Sequence, residues 1–255
     1  RVGDPEARLL KVIAGDLDAY QQVLRPFLRA RRLPPPRVAF LSHANVDHYN
    51  ALPGLLARDR VERVYLNPCF GRRRQVAGGV RELMAELEDA GVRVERLAAG
   101  DAVELCPGLR AAILWPPAGA CEDLTINESS LVMRIESGDR RALIPGDIGP
   151  VAQETLMEAP PDGTDPPAAL RADVLVMPHH GSSAGPVKAF IDAVAPAVLI
   201  QSSSGRHEPP ELLEAVAGRR RFTTNRHGWI CAELRPSGVE VRTMRGRPDG
   251  AGGSR

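Results

Sequence analysis

Short apolar runs separated by turn residues are the dominant pattern along this chain. Runs of about four to eight such residues predict strands. Strands are therefore predicted over residues 38–41, 61–66, 92–97, 109–114, 131–135, 142–144, 174–177, 198–200, 229–234 and 239–243. Helical spacing of apolar residues predicts helices over residues 17–28, 50–56, 81–90, 151–157, 187–194 and 211–216.

The order of these elements indicates the fold class. Strands and helices alternate in the second half of the chain, which is typical of an α/β sandwich of two sheets with outer helices. We predict one domain over residues 1–244, without internal repeats. Residues 160–167 and the tail 245–255 are rich in Pro, Gly and polar residues and are predicted to be disordered.

Composition agrees with one folded domain. The chain has 255 residues, 43% of them hydrophobic, which suffices for one core, and no apolar run is long enough to predict a membrane span. The chain begins at Arg1 and has no charged-then-apolar leader. We therefore expect a soluble piece of a longer protein.

Charge gives little indication of a partner. The formal net charge is +1, but Arg residues cluster at positions 29–32, 72–74 and 219–221. Such clusters can bind the phosphate groups along a nucleic-acid backbone. We favour a solvated surface, because no aromatic residues interleave with them to stack on bases.

The four cysteines have no close-pair spacing. They are Cys69, Cys106, Cys121 and Cys231. This spacing argues against a structural zinc knuckle or a dense disulfide framework. We predict buried thiols, and one bridge remains open.

The run Ser42-His43-Ala44-Asn45-Val46-Asp47-His48 follows the predicted strand 38–41. Side chains at a strand end and in the next loop can converge on one point. Two imidazoles and a carboxylate are ligands for a borderline divalent cation. This run therefore predicts half of a metal site.

Complementary ligands follow two later strands. Asp147 ends the apolar stretch 141–146, and the pair His179-His180 ends the stretch 173–178 and precedes Gly181-Ser182. In each case a short predicted strand is followed directly by a residue that can bind a metal. The three places together predict a metal centre.

This order of motifs resembles the metallo-β-lactamase fold, in particular the ComEC-like domain of bacterial competence proteins. The segments Asn127-Glu128-Ser129-Ser130-Leu131-Val132 and Gly205-Arg206-His207-Glu208-Pro209 are similar to two further segments of that subfamily. The resemblance covers most of residues 37–232. It implies a four-layer αββα sandwich whose opening hairpin is reduced to residues 9–13 or absent.

The resemblance also implies metal ligands. They are His43, Asn45, Asp47, His48, Asp147 and His179, with His180 as the alternative to His179 and Asn127 as a further candidate. Asp147 would bridge two locations. Because Asn45 and Asn127 offer only neutral amide oxygens, we expect one divalent cation, zinc or manganese, to bind tightly and a second weakly.

Three residues are predicted to take part in catalysis. They are Asp47, His180 and His207, of which the two histidines would protonate a leaving oxygen or stabilise developing charge. Ser182 either orients a phosphate or caps the following turn. His227 matches no ligand position, and we interpret it as structural.

The resemblance implies a metal-dependent hydrolase, a phosphodiesterase or nuclease acting on single-stranded or double-stranded DNA in competence-related DNA uptake. The partner would be the membrane channel portion of the same parent protein, with no lipid contact by this segment. The parent would be a bacterial cell-membrane protein; the compartment of this piece is not predicted.

Two alternatives remain open. One is a degenerate domain that binds nucleic acid or a partner without cleaving it, which Asn45 and Asn127 motivate. The other is a small-molecule hydrolase such as a lactonase or thioesterase. The Pro-His-His-Gly-Ser loop 178–182 and the lack of an apolar acyl-binding segment disfavour the latter.

Overall fold

The computed structural model describes residues 19–72, 78–158, 166–203, 205 and 208–245. Within these residues, a single π-helical turn, Tyr20–Leu24, leads directly into the first α-helix. The α-helices are α1 (Arg25–Arg31), α2 (Leu52–Leu56), α3 (Gly78–Asp89), α4 (Pro150–Met157), α5 (Pro166–Leu170), α6 (Val187–Val194), α7 (Pro210–Val216) and α8 (Thr224–His227). The strands are β1 (Val38–Leu41), β2 (Arg63–Leu66), β3 (Arg93–Arg96), β4 (Ala102–Cys106), β5 (Leu109–Trp115), β6 (Val132–Ser137), β7 (Arg140–Ile144), β8 (Val174–Val176), β9 (Val198–Gln201), β10 (Arg221–Thr223), β11 (Ile230–Arg235) and β12 (Gly238–Thr243).

The described strands form two main sheets and a hairpin. The smaller sheet has the parallel order β1-β2-β3, and the larger sheet has the order β10-β9-β8-β7-β6-β5-β4. Strands β4 to β7 are antiparallel neighbours, whereas β7 to β10 are parallel. The carboxyl ends of β7 to β10 therefore lie along one edge of the larger sheet. Strands β11 and β12 form a separate antiparallel pair.

Strand β2 shows how the layers are held together. Its side chains alternate between faces: Val64 and Leu66 pack with the helices around α1 to α3, whereas Tyr65 packs towards the larger sheet. On the far side of the larger sheet, Leu175 packs with Phe190 of α6. The order is thus helices, sheet, sheet, helices, which confirms the α/β four-layer αββα prediction.

Several predicted elements have different limits in the structure. Strands β4 and β10 and helix α8 were not predicted. Helix α5 begins at Pro166, inside the stretch 160–167 that was predicted to be disordered, so that prediction is wrong at its end. Residues 9–13, most of the stretch 160–167 and residues 246–255 lie outside the described residues, so those predictions stay predictions.

The cysteine prediction also needs correction. Cys69 and Cys121 form a disulfide that joins the loop after β2 to the loop after β5. Cys106 and Cys231 take no part in this disulfide and are only half-buried. Spacing along the chain gave no sign of the pairing, because the fold alone brings these two loops together.

One arginine of the clusters is not solvated. Arg221 of β10 is 5% exposed, so the solvated interpretation is wrong for it.

Within the described residues, no helix is both long and apolar enough to cross a membrane.

Candidate metal centre

Three strand ends supply the side chains of the centre. The loop after β1 contains the 3₁₀ turn Val46–His48, the end of β7 leads to Asp147, and β8 leads to the turn Pro178–Gly181. Strand β1 belongs to the smaller sheet, whereas β7 and β8 are neighbours in the larger one. The N–H of Leu131 donates to the carbonyl of Ser42 at 2.8 Å and joins the two sheets at this edge.

Two imidazoles and two carboxylates converge at this edge. The Nε2 atom of His48 lies 3.2 Å from Asp147 Oδ2 and 3.5 Å from Asp47 Oδ2. The Nε2 atom of His180 lies 3.3 Å from Asp147 Oδ2 and 3.6 Å from Asp47 Oδ2. Imidazole nitrogens and carboxylate oxygens are the ligands of zinc and manganese in proteins. The four side chains are therefore a donor set for a divalent cation.

A second group shares part of this set. His43, His48 and Asp147 each offer one ligand atom, and these atoms lie within 4.8 Å of one another. The His43 and His48 rings are 4.1 Å apart between centroids. His48 and Asp147 thus belong to both groups, and the bridging role of Asp147 stays a prediction.

Two serine hydroxyls orient the imidazoles. Ser42 Oγ lies 3.1 Å from His43 Nδ1 and 3.0 Å from His48 Nδ1. Ser130 Oγ lies 3.1 Å from His43 Nδ1 and accepts the N–H of Asp147 at 3.0 Å. A metal-binding imidazole usually uses its other nitrogen for such a bond, which fixes the ring. For His48, this leaves Nε2 directed at the carboxylates.

The buried polar atoms of the centre fit a cation. Asp147 Oδ1 is buried and accepts no hydrogen bond from any residue that the structure describes. His48 Nε2 is also buried, and its contacts with the carboxylates do not have hydrogen-bond geometry. Buried polar atoms are nearly always satisfied, and a divalent cation would satisfy both.

Electrostatics keeps both carboxylates ionised. Contact with the His180 imidazole lowers the pKa of Asp47, and burial only partly opposes this. Burial would raise the pKa of Asp147, but the imidazoles of His180 and His48 outweigh it and hold that pKa well below its usual range. Both side chains are therefore anionic ligands at neutral pH.

The two asparagines contact each other. Asn45 Nδ2 donates to Asn127 Oδ1 at 2.8 Å, and Asn127 Nδ2 lies 3.4 Å from His179 Nε2. The structure thus places His179 beside Asn127 and brings His180 to the carboxylates. This geometry favours His180 over His179 as the ligand in this loop, and the choice between them stays a prediction. The ligand roles of Asn45 and Asn127 stay predictions.

The backbone explains why His179 and His180 diverge. Both have left-handed conformations, with φ of 46° and 58°, which are unfavourable for residues with a Cβ. The N–H of His179 donates to Gly146 O at 3.1 Å and so ties this turn to the loop of Asp147. No pattern in the sequence indicates which of two adjacent histidines such a turn directs inward.

Sequence reasoning missed the role of Glu128. Its buried carboxylate accepts the N–H groups of Gly149, Val151 and Ala152 at 3.0–3.2 Å. It thereby satisfies the first turn of α4, directly after Asp147. A carboxylate inside the Asn-Glu-Ser-Ser segment 127–130 was the available signal.

The remaining candidates lie apart from the ligands. Ser182 Oγ accepts the N–H of Ala184 at 3.2 Å, which is the turn-capping alternative. His227 is 3% exposed and its Nδ1 contacts the backbone of Thr223, as expected of a structural residue. His207, the third predicted catalytic residue, lies outside the described residues.

Comparisons with known proteins agree with the motif analysis. No family model matches the chain. The chain is 26% identical over 192 residues to ComE operon protein 3 of Bacillus subtilis (strain 168), covering 74% of this chain and 23% of that protein. It therefore spans about a quarter of the length of that relative. This similarity confirms the predicted resemblance to a ComEC-like metallo-β-lactamase domain.

Solved structures give weaker likenesses. Igni18, a metallo hydrolase from Ignicoccus hospitalis, is 14% identical with a TM-score of 0.49, over 84% of this chain and 81% of its own. A protein named as a metal-dependent hydrolase from Parabacteroides distasonis is 13% identical with a TM-score of 0.47, over 75% of this chain and 77% of its own.

Proposed function

We propose that this ComEC-like domain is a metal-dependent hydrolase, and more specifically a phosphodiesterase that cleaves DNA. The observation that supports hydrolysis is that the Nε2 atoms of His48 and His180 each lie 3.2–3.6 Å from Oδ2 of both Asp47 and Asp147. A bound divalent cation would lower the pKa of a bound water from about 15.7 towards about 7. The centre then supplies a nucleophile at neutral pH.

Burial divides the four side chains into two pairs. The side chains of His48 and Asp147 are 3% and 5% exposed, so they hold the cation from inside the protein. The side chains of His180 and Asp47 are 31% and 30% exposed. A substrate therefore approaches from the side of His180 and Asp47.

The leaving oxygen needs a proton donor that does not bind the cation. A phosphodiester needs such a donor, because its leaving alkoxide is a poor leaving group without protonation. His180 faces Asp47 and Asp147 through Nε2, the atom assigned to the cation, so it cannot hold a proton there. His207 keeps its predicted role as the donor.

DNA is the substrate that the resemblance to the ComEC-like domain implies, and the similarity to ComE operon protein 3 supports that resemblance. Because the chain spans 23% of that relative, we further propose that this domain is joined to a membrane channel portion in its parent protein and acts on DNA that the channel handles.

A cleavage assay tests the nuclease proposal. Labelled single-stranded and double-stranded DNA are incubated with the protein and Mn²⁺ or Zn²⁺, alongside Asp47→Ala and a matched exposed carboxylate variant, Asp89→Ala. We expect the wild type and Asp89→Ala to cleave, and Asp47→Ala to lose cleavage. Equal cleavage by Asp47→Ala would contradict the proposal.

The hydrogen bond between Asn45 and Asn127 favours a second candidate function, a domain that binds DNA without cleaving it. Because these amides bind each other, we infer that one metal location is weak, and losing the second cation would weaken the two-cation clamp that stabilises phosphodiester cleavage. DNA that is retarded in a gel but stays intact with either metal would support this alternative. Ester hydrolysis without DNA cleavage would indicate a small-molecule hydrolase.

A further inference from the structure

Gln201 contacts the backbone of the turn that carries His180. It is the last residue of β9 and is 2% exposed, and its Nε2 donates to the carbonyl of His180 at 3.0 Å. The amide lies so close to this turn that a Cβ on Gly181 would be 2.5 Å from Nε2. Gln201 is therefore packed directly against the backbone that directs His180.

Arg221 determines which way this amide points. Its Nη1 donates to Gln201 Oε1 at 3.1 Å. Because a guanidinium has donors and no acceptor, the oxygen of Gln201 must face Arg221. The NH₂ group then faces His180 O, the orientation that a hydrogen bond to a carbonyl requires.

Glu208 in turn holds the guanidinium. Arg221 Nη1 and Nη2 each donate to one carboxylate oxygen of Glu208 at 3.0 Å. The side chains of Arg221 and Glu208 are 6% and 17% exposed. A two-pronged ion pair of this kind has one geometry, so the guanidinium has little freedom to turn.

The chain of hydrogen bonds from Glu208 through Arg221 to Gln201 matters because the backbone of the His180 turn is strained. His179 and His180 both have positive φ, and residues with a Cβ persist there only where surrounding contacts compel it. If the His180 peptide relaxed to negative φ, the imidazole would leave Asp47 and Asp147. The bond from Gln201 opposes that relaxation.

We propose that Gln201, Arg221 and Glu208 are positioning residues that hold the backbone of His180, and with it the imidazole, against the two carboxylates. The inference rests on the proposed metal centre but not on the nature of its substrate.

Metal binding by variants of the network tests the inference. Gln201→Glu keeps the size of the side chain and a partner for Arg221, but puts a carboxylate oxygen against His180 O. We expect its Kd for Mn²⁺, measured by calorimetry, to rise about tenfold, and the visible absorption of bound Co²⁺ to change. Gln22→Glu adds the same charge at an exposed site and should leave both unchanged.

Arg221→Lys is the second variant. Lysine keeps the charge but lacks the planar fork, so Gln201 loses its fixed orientation. We expect a smaller rise in Kd and the same change in the Co²⁺ spectrum. If Gln201→Glu fails to fold, Arg221→Lys decides the matter.

The outcomes are distinct. Wild-type Mn²⁺ affinity and Co²⁺ spectrum in the folded variants would overturn the inference, even if their melting temperatures fell, since the network would then serve folding alone. A wild type that binds Mn²⁺ but leaves DNA intact would refute the nuclease and leave this inference standing. A wild type that binds neither metal would overturn both.

Discussion

The Nε2 atom of His180 lies 3.3 Å from Oδ2 of Asp147. The two residues follow β8 and β7, which are neighbouring parallel strands. Because parallel neighbours end at the same edge of a sheet, the loops after them meet there. This contact joins the half-buried side chains of His180 and Asp47 to the buried ones of His48 and Asp147.

His180 and His179 are predicted to differ in metal binding. His180→Ala removes an imidazole that contacts both carboxylates. We expect it to weaken Mn²⁺ binding by more than the roughly 10- to 100-fold loss typical of residues outside the ligand set. His179→Ala is the adjacent control and should lose less. Calorimetry on metal-free protein measures both, and a larger loss in His179→Ala would reverse our assignment.

The second metal location is predicted to respond to Asn45. In the wild type we expect one tight and one weak site, because Asn45 and Asn127 are neutral ligands at best. Asn45→Asp adds an anionic oxygen at the same position and should make the weak site clearly tighter. Titration with Zn²⁺ and Mn²⁺ checks this. Two equally tight sites in the wild type would contradict the prediction.

Glu128 is predicted to stabilise the segment that follows Asp147. Its carboxylate accepts three N–H groups around the start of α4. Glu128→Gln removes the charge and turns one acceptor into a donor facing donors, so we expect a loss of about 1–3 kcal/mol in the free energy of unfolding. Urea unfolding measures it. Glu86→Gln, on the exposed side of α3, should change this free energy by less than about 0.5 kcal/mol.

Tyr20 is predicted to make stability fall at high pH. Its hydroxyl donates to Asp59 Oδ2 at 2.6 Å, and this bond, helped by burial, raises the pKa of Tyr20. The ordinary pKa of tyrosine is about 10. A pKa raised by folding gives stability that is fully present below about pH 10 and is lost as pH rises through the folded value.

Tyr20→Phe tests this dependence. The variant should be less stable than the wild type at pH 8, and the difference should shrink as pH rises towards 11. Urea unfolding at both pH values measures it. A difference that stays constant with pH would show that the Tyr20 hydroxyl does not titrate as its pKa shift implies.

The positions of the candidate ligands could be read from local pattern. His43, Asp47, His48 and Asp147 each follow an apolar run, and such runs form strands whose ends carry functional side chains. The layer order followed from the alternation of strands and helices. Period-two and helical spacing are properties of neighbouring residues, so they can be read without knowing the fold.

Other features could not be predicted, because they depend on contacts between distant segments. Arg221 stands in a basic cluster of residues 219–221, yet it is buried because Glu208 and Gln201 lie beside it in the fold. The disulfide between Cys69 and Cys121 spans 52 positions. Neither partner carries a local signal of the other.

By itself, the sequence determined which residue types stand at the strand ends. It therefore determined that the chain offers imidazoles and carboxylates for a divalent cation. The tertiary structure alone decided that His180 faces the carboxylates and His179 faces Asn127. The physical reason is that the direction of these side chains depends on a left-handed turn. Hydrogen bonds from Gln201 to that turn, and from the turn to Gly146, maintain its conformation across the sheet.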